Sequence, residues 1–384
     1  MRTFTTENWH VAPHNRKSFQ HVQSLFPTTR IRKGEASISD LPARHRDLGD
    51  ISYDGLDGAP RTIARMLDDT YTDAFLVMKD GVVITEHYAN GMSADSHHLL
   101  NSVSKSFVGM LAGILVEDGV LDPAQNVAAY IPELKNTAFE DTTLQHALDM
   151  TAAVKYTEDY AVDDDDIWIE TAVVGWRPHL VRDGSAKTLL DYAASLTEKE
   201  QKDGAAFHYR TVLTSVIARA IERAAETPVQ DLLKDRLWRK LGPEQDAVIV
   251  VDRTGFPYFG AGMNACARDL ARFGQMLLQD GEFNGAQIVP AQWVQETRNG
   301  DDNSRRLFAA SDYSAMMPDG HYRNQVWAAN HGAVLYCIGI HGQTIYINRD
   351  ANIVAVKLSV FPEPGDDLLF GDTFLAMTAL GATL

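Results

Sequence analysis

An apolar stretch from Phe107 to Val116 follows directly on Ser102-Val103-Ser104-Lys105-Ser106. It is far too short to span a bilayer, which takes about 20 residues. Phe107, Val108, Met110, Leu111, Ile114, Leu115 and Val116 leave it little polar face, so it predicts a helix buried deep in a core. Whatever fold the chain adopts must wrap this helix, with Ser102 and Lys105 at its first turn. Residues three apart on a helix lie on one side of it, and Ser102 is the only serine in the chain followed by lysine at the third position. A serine hydroxyl becomes a nucleophile when a nearby base takes its proton. Lysine can be that base only where burial or a neighbouring cation brings it towards neutrality. The pattern therefore asks for a closed, partly dry pocket around Lys105; a serine cap followed by a solvated lysine would not need so apolar a helix.

The flanking sequence supplies two kinds of element. Ala74 to Met78 and Val82 to Tyr88, joined by Lys79-Asp80-Gly81, predict an antiparallel hairpin. Thr344 to Ile347 and Ile353 to Leu358 predict two further strands, and Asp367 to Leu380 a closing helix. Between them, residues 131 to about 245 carry apolar residues at helical spacing, as in Val212, Val216, Ile217, Ala220 and Ile221. The helix that starts at Val103 should stop near Asp118-Gly119, with Leu121-Asp122-Pro123 opening another short one. Residues 1–55 are polar and irregular and read as an arm lying on the body. The expected architecture is α+β: an antiparallel sheet flanked by helices, built from residues 56–130 and 246–384 and interrupted by a mainly helical domain at 131–245. A cleft is expected where the two meet.

With 52 acidic against 35 basic residues the formal net charge is −17, which argues against nucleic acid as a partner. No membrane segment is read, and the N-terminus has no run suited to a signal peptide. Cys266 and Cys337 cannot build a disulfide framework and read as reduced, so the expected compartment is the cytoplasm. Asp163-Asp164-Asp165-Asp166 reads as a solvated loop rather than a calcium site, and His97-His98 as a loop without metal-binding partners. No metal and no cofactor is expected. Neither Gly-x-Ser-x-Gly nor a phosphate-binding loop ending in Gly-Lys-Ser/Thr occurs.

A Ser-x-x-Lys nucleophile needs a second proton-relay group and an oxyanion hole. Tyr209, in Phe207-His208-Tyr209-Arg210-Thr211 at the mouth of a middle helix, is the candidate relay; a phenol with its pKa lowered by the lysine could take the Ser102 proton and pass it on. The glycine-rich run Cys337-Ile338-Gly339-Ile340-His341-Gly342-Gln343 could present a backbone N–H closely if it lies on an edge strand.

With these motifs in place, the chain resembles the serine β-lactamase and DD-peptidase-like superfamily, and within it the 6-aminohexanoate-dimer (nylon-oligomer) hydrolases and their carboxylesterase relatives. The likeness runs through Thr70 to Val77, Ser102 to Ser106, Glu158-Asp159-Tyr160, Gly175-Trp176, Ala267 to Arg272 and Gly339 to Gln343. It implies Ser102 as acylated nucleophile, Lys105 and Tyr209 as proton relay, and the N–H groups of Ser102 and Ile340 as oxyanion hole. It also implies Tyr160 at the scissile amide, with Thr171, Trp176 and His341 binding substrate. Three departures matter. Tyr209-Arg210-Thr211 stands for a Tyr-x-Asn or Tyr-x-Ser motif. Cys337-Ile338-Gly339 stands for Lys-Thr-Gly, weakening recognition of a substrate carboxylate. Thr171 stands where an acidic residue would hold a substrate ammonium. The resulting expectation is a serine hydrolase, a carboxylesterase or linear amidase, acting through an acyl-enzyme on short-chain esters or linear amides. A homodimer is compatible with this reading, and a non-catalytic ligand binder and an acyltransferase are its alternatives.

Overall fold

The computed structural model describes residues 4–35 and 37–384; the first three residues of the expected arm, and Ala36, lie outside these. The elements that frame the site are, in chain order, strands β1 (Thr28–Ile31), β2 (Thr72–Lys79), β3 (Val82–Tyr88) and β4 (His98–Leu99), followed by helix α1 (Val103–Glu117). Helices α2 (Asp166–Ala172) and α3 (Val212–Ala224) come next, then β5 (Ala247–Val250), β6 (Met263–Ala265) and α4 (Ala267–Leu278). The chain closes with β7 (His321–Arg323), β8 (Val326–Ala329), β9 (Val334–Gly339), β10 (Gln343–Asn348), β11 (Ile353–Ser359) and α5 (Asp367–Thr383).

Seven strands form one sheet in the order β7-β8-β9-β10-β11-β2-β3, every neighbour antiparallel. Hydrophobic alternation and the Asp80-Gly81 turn account for the β2–β3 hairpin, in which Asp80 and Gly81 both take positive φ. Helix α1 is buried at every residue from Val103 to Leu115, as its apolar surface requires. Its few polar groups are spent on anchoring: Ser104 Oγ accepts from the Met263 N–H at 3.1 Å, and Ser106 Oγ donates to the Gln325 carbonyl at 2.9 Å. The regular elements between residues 131 and 245 are helices, and no helix among the described residues is long and apolar enough to cross a membrane.

Several expectations need correction. Strand β9, which carries the glycine-rich run, is an interior strand, because the β7–β8 hairpin adds two strands beyond it. Pro123 opens a turn, and the short helix after it begins only at Val127. His98 belongs to a strand and is fully buried, its Nε2 3.5 Å from Asp73 Oδ2. The acidic run is not wholly solvated: Asp165 caps α2, and Asp166 accepts from the Thr157 N–H at 2.9 Å. The arm is more than a covering. Its β1 pairs with β5, its Arg44 N–H donates to Val83 on the exposed sheet edge, and Trp9, Phe19 and Phe26 are buried aromatics. Covering an edge strand protects it from pairing with other chains.

Candidate active site

The site is built around a kinked turn. Asn101 takes φ +46°, a left-handed conformation that asparagine tolerates better than most side chains. This turn carries Ser102 to the N-terminus of α1, and the Asn101 side-chain amide donates to the Ile340 carbonyl at 2.9 Å. Gly339 lies beside the same turn. A Cβ there would fall 3.0 Å from the Ser102 nitrogen and into the Leu100 carbonyl, so only glycine lets β9 approach the nucleophile so closely.

Lys105 Nζ lies 2.7 Å from Ser102 Oγ and donates to the Gly260 carbonyl at 2.6 Å. The lysine is only 1% exposed. Burial brings its pKa down to about 8, against the opposing pull of Glu158 and Glu170. A neutral Lys105 can keep its bond to Gly260 and turn its lone pair to the serine hydroxyl. Tyr209 is close enough to Ser102 for the serine hydroxyl to favour its ionised form. Its ring sits 5.1 Å below the ammonium and stacks on Trp327, centroids 5.3 Å apart. Here the sequence reading is corrected. Burial and the charge of Glu158 push the Tyr209 pKa well above the ordinary phenol value, opposite to the lowering expected from the lysine.

Sequence reasoning missed the carboxyl groups behind this pair. Glu158 accepts from the Tyr160 hydroxyl at 2.6 Å, the Thr211 N–H at 2.8 Å and the Thr211 hydroxyl at 2.9 Å. Glu170 is fully buried, bonded to Tyr156 at 2.7 Å and Ser215 at 3.2 Å, and burial lifts its pKa to about 8. Glu158 stood inside a quoted motif, but nothing local marked it as the charge facing Lys105. Its partner Thr211 is 53 residues away.

Tyr160 is half-buried, tied to Glu158 and within electrostatic range of Tyr209 and Tyr313. Thr171, Trp176, His341 and Ile340 line one small cavity together with Asn101, so all four adjoin the Ser102 turn. Its free volume of about 20 Å³ holds roughly one water. Thr171 gives its hydroxyl proton to the Trp168 carbonyl, and His341 donates from Nδ1 to the Phe361 carbonyl at 2.7 Å. Burial lowers the His341 pKa to about 4, so this ring is neutral. Arg177 and His10 share the cavity, which makes it unsuited to an ammonium group. Trp9 of the arm braces the wall, donating from Nε1 to the Trp176 carbonyl at 3.2 Å. Cys337 is buried against Ser106 on the α1 side of β9. Among the described residues no group of three or more His, Cys, Asp or Glu could hold a metal ion.

An antiparallel sheet wrapped on a buried helix, with Ser-x-x-Lys at the helix start and a glycine strand beside it, defines a class, and comparison with known families agrees. The chain belongs to the Beta-lactamase family, whose pattern matches residues 60–377, and it has the β-lactamase-like fold. This places it among the hydrolases of the β-lactamase and penicillin-binding superfamily. It is 33% identical over 363 residues to the 6-aminohexanoate-dimer hydrolase of Paenarthrobacter ureafaciens, covering 94% of this chain and 89% of that one. A solved Bacillus anthracis structure, provisionally assigned as a 6-aminohexanoate-dimer hydrolase, superposes with a TM-score of 0.88 at 28% identity, over 98% of this chain and 96% of that one. A family VIII carboxylesterase shares the fold, with a TM-score of 0.54 at 13% identity over 81% of this chain and 96% of that one.

Proposed function

We propose that the protein is a serine hydrolase that cleaves esters or linear amides through an acyl-enzyme formed on Ser102. The observation that carries this reading is the 2.7 Å approach of a dehydrated Lys105 Nζ to Ser102 Oγ, with the Tyr209 ring 5.1 Å from the same nitrogen. A ligand-binding protein without chemistry has no use for a buried lysine held against a serine. In this reading neutral Lys105 takes the Ser102 proton as Oγ attacks the carbonyl carbon. The N–H groups of Ser102 and Ile340 hold the developing oxyanion. Tyr209 donates its proton to the departing oxygen or nitrogen and is reprotonated from Lys105, which restores the neutral amine. Water then attacks the acyl-enzyme as Lys105 takes its proton, and Lys105 returns that proton to Ser102 Oγ as the acyl bond breaks, which frees the acid and restores both groups. The reaction takes place in the cytoplasm, in keeping with two free, buried cysteines.

The test is intact mass after incubation with a fluorophosphonate, together with turnover of p-nitrophenyl acetate. One adduct at Ser102 is expected, absent in Ser102→Ala along with the esterase activity. In Lys105→Arg, which keeps the cation but cannot become neutral, turnover should fall at least about 100-fold. An adduct on another serine, or turnover persisting in Ser102→Ala, would overturn the reading.

A further inference from the structure

A groove of about 670 Å³ opens beside the site, on the side of the sheet covered by α5. Its size falls in the range of pockets that enclose small organic ligands, about 300–1,000 Å³. Leu56, Tyr313, Met316, Tyr336, Phe374 and Leu375 supply most of its wall. On α5 the lining positions Asp367, Gly371, Phe374, Leu375 and Thr378 recur at helical spacing, so one face of this helix is turned to the groove. Leu56 at the rim is 55% exposed, with its methyl groups lying over Gly371 of α5.

Two observations join this groove to the nucleophile. Tyr313 belongs to both, lining the groove while packing on Tyr209 at 6.4 Å and Trp327 at 5.3 Å between centroids. Strand β9 supplies a second path. Gly339 is extended, with φ −136° and ψ 144°, so Tyr336, Ile338 and Ile340 alternate onto one face. Ile338 and Ile340 are both only partly buried, leaving an apolar track from the oxyanion position to the groove wall. Four residues at roughly 3.3 Å each make that track about 13 Å long, the reach of about ten carbons in an extended alkyl chain.

We propose that this groove, together with the apolar track that leads to it, is a subsite for the hydrocarbon chain of the substrate, the chain lying on the track and its end reaching the groove, so that the enzyme takes neutral esters with chains of about eight to ten carbons in addition to short ones. This deepens the serine-hydrolase reading above and rests on it. Asp312 and Asp367 stand in the lining, so a chain ending in a carboxylate is repelled and the occupant is uncharged there. Either side of the ester could provide the chain. The chemistry is the same, and the two sources separate in the test.

The experiment measures kcat/KM for two series below their micellar concentrations: p-nitrophenyl esters from acetate to decanoate, and acetates of alcohols from ethyl to decyl. Burying each methylene should raise kcat/KM about threefold to fourfold, so burial of only three of the six methylenes that separate two from eight carbons gives at least about 30-fold. A rise in the first series assigns the groove to the acyl chain, and a rise in the second to the alcohol. In Ala315→Trp, at the exposed end of a groove-lining 3-10 turn, and in Leu375→Gln the ratio of ten-carbon to two-carbon kcat/KM should drop at least tenfold. A profile that is flat or falling beyond four carbons in both series overturns the proposal, as does an unchanged ratio in both variants. Failure of the hydrolase reading looks different: acetate turnover would then be absent or independent of Ser102.

Discussion

Replacing Glu158 by glutamine should move the pH at which the enzyme switches on. Lys105 has to be neutral to act, and its pKa of about 8 leaves about one-tenth of it neutral at pH 7. Activity should therefore climb with pH, about tenfold per unit well below pH 8, and level off above it. Burial sets that value, and the Glu158 carboxylate works against it by favouring the charged lysine. Opposite charges in a shared buried site displace a pKa by about 1 to 3 units when within 4–6 Å; Glu158 makes no direct bond to Lys105, so about one unit is the scale. With the pKa near 7, the neutral fraction at pH 7 rises from about 0.1 to about 0.5, while at pH 9 both proteins are almost fully neutral. The weaker base costs some plateau height, so the position of the limb is what decides. Glutamine keeps the shape of the side chain and an oxygen for the Thr211 N–H. The assay is kcat/KM for p-nitrophenyl acetate from pH 5.5 to 9.5, read at a wavelength where nitrophenol and nitrophenolate absorb equally. A limb that stays near pH 8 in Glu158→Gln refutes the argument that its charge sets the state of Lys105. A loss equal at every pH would assign Glu158 to holding Tyr160 and Thr211 in place instead.

Tyr209→Phe should cost about 100-fold with an alkyl ester, whose alkoxide needs a proton as it leaves, and much less with p-nitrophenyl acetate, whose leaving group does not; equal losses would count against the donor role. Lys357 is fully buried beside Ser359, with its pKa brought down to about 7 by burial. The unfolded chain, with a lysine pKa near 10.4, binds one more proton than the folded chain between about pH 7 and 10, so this residue makes stability rise with pH by up to about 1.4 kcal/mol per unit there. Urea unfolding at pH 7 and 9 should show that slope reduced in Lys357→Met, and an unaltered slope would remove Lys357 as its source. Thr171→Asp alone should gain little on the linear 6-aminohexanoate dimer, because Arg177 in the same cavity would neutralise the new carboxylate. Thr171→Asp with Arg177→Ala should gain more, measured as the kcat/KM ratio of dimer to p-nitrophenyl butyrate, and a single variant matching the double would show that Arg177 does not face position 171.

What the sequence made legible follows from how each interaction is encoded. Ser102 and Lys105 are one helical turn apart, and the apolar residues after them force the helix inward, so the pair and its burial can be read from the fifteen consecutive residues Ser102 to Val116. Strands β2, β3, β10 and β11 alternate or form apolar runs between turn residues, and α3 and α5 repeat at helical spacing, so local periodicity reveals them too. Other features depend on residues far apart in the chain. Strand β9 looks like an edge because its glycines suit one, and only the pairing with Trp327 and its neighbours makes it interior. The sign of the Tyr209 shift was misread for the same reason. A lysine three residues from the serine argues for a lowered phenol pKa, whereas Glu158 and the surrounding aromatics, brought in from positions 158, 313 and 327, exclude water and push it upward. A charge is legible in a sequence, but its solvation is not. At this site desolvation sets the protonation state of Lys105, Glu170 and Tyr209 alike. In the proposed mechanism a neutral lysine base beside a neutral phenol donor is therefore a product of the assembled cleft, and substitutions that admit water to it should inactivate the protein even where they touch none of the three.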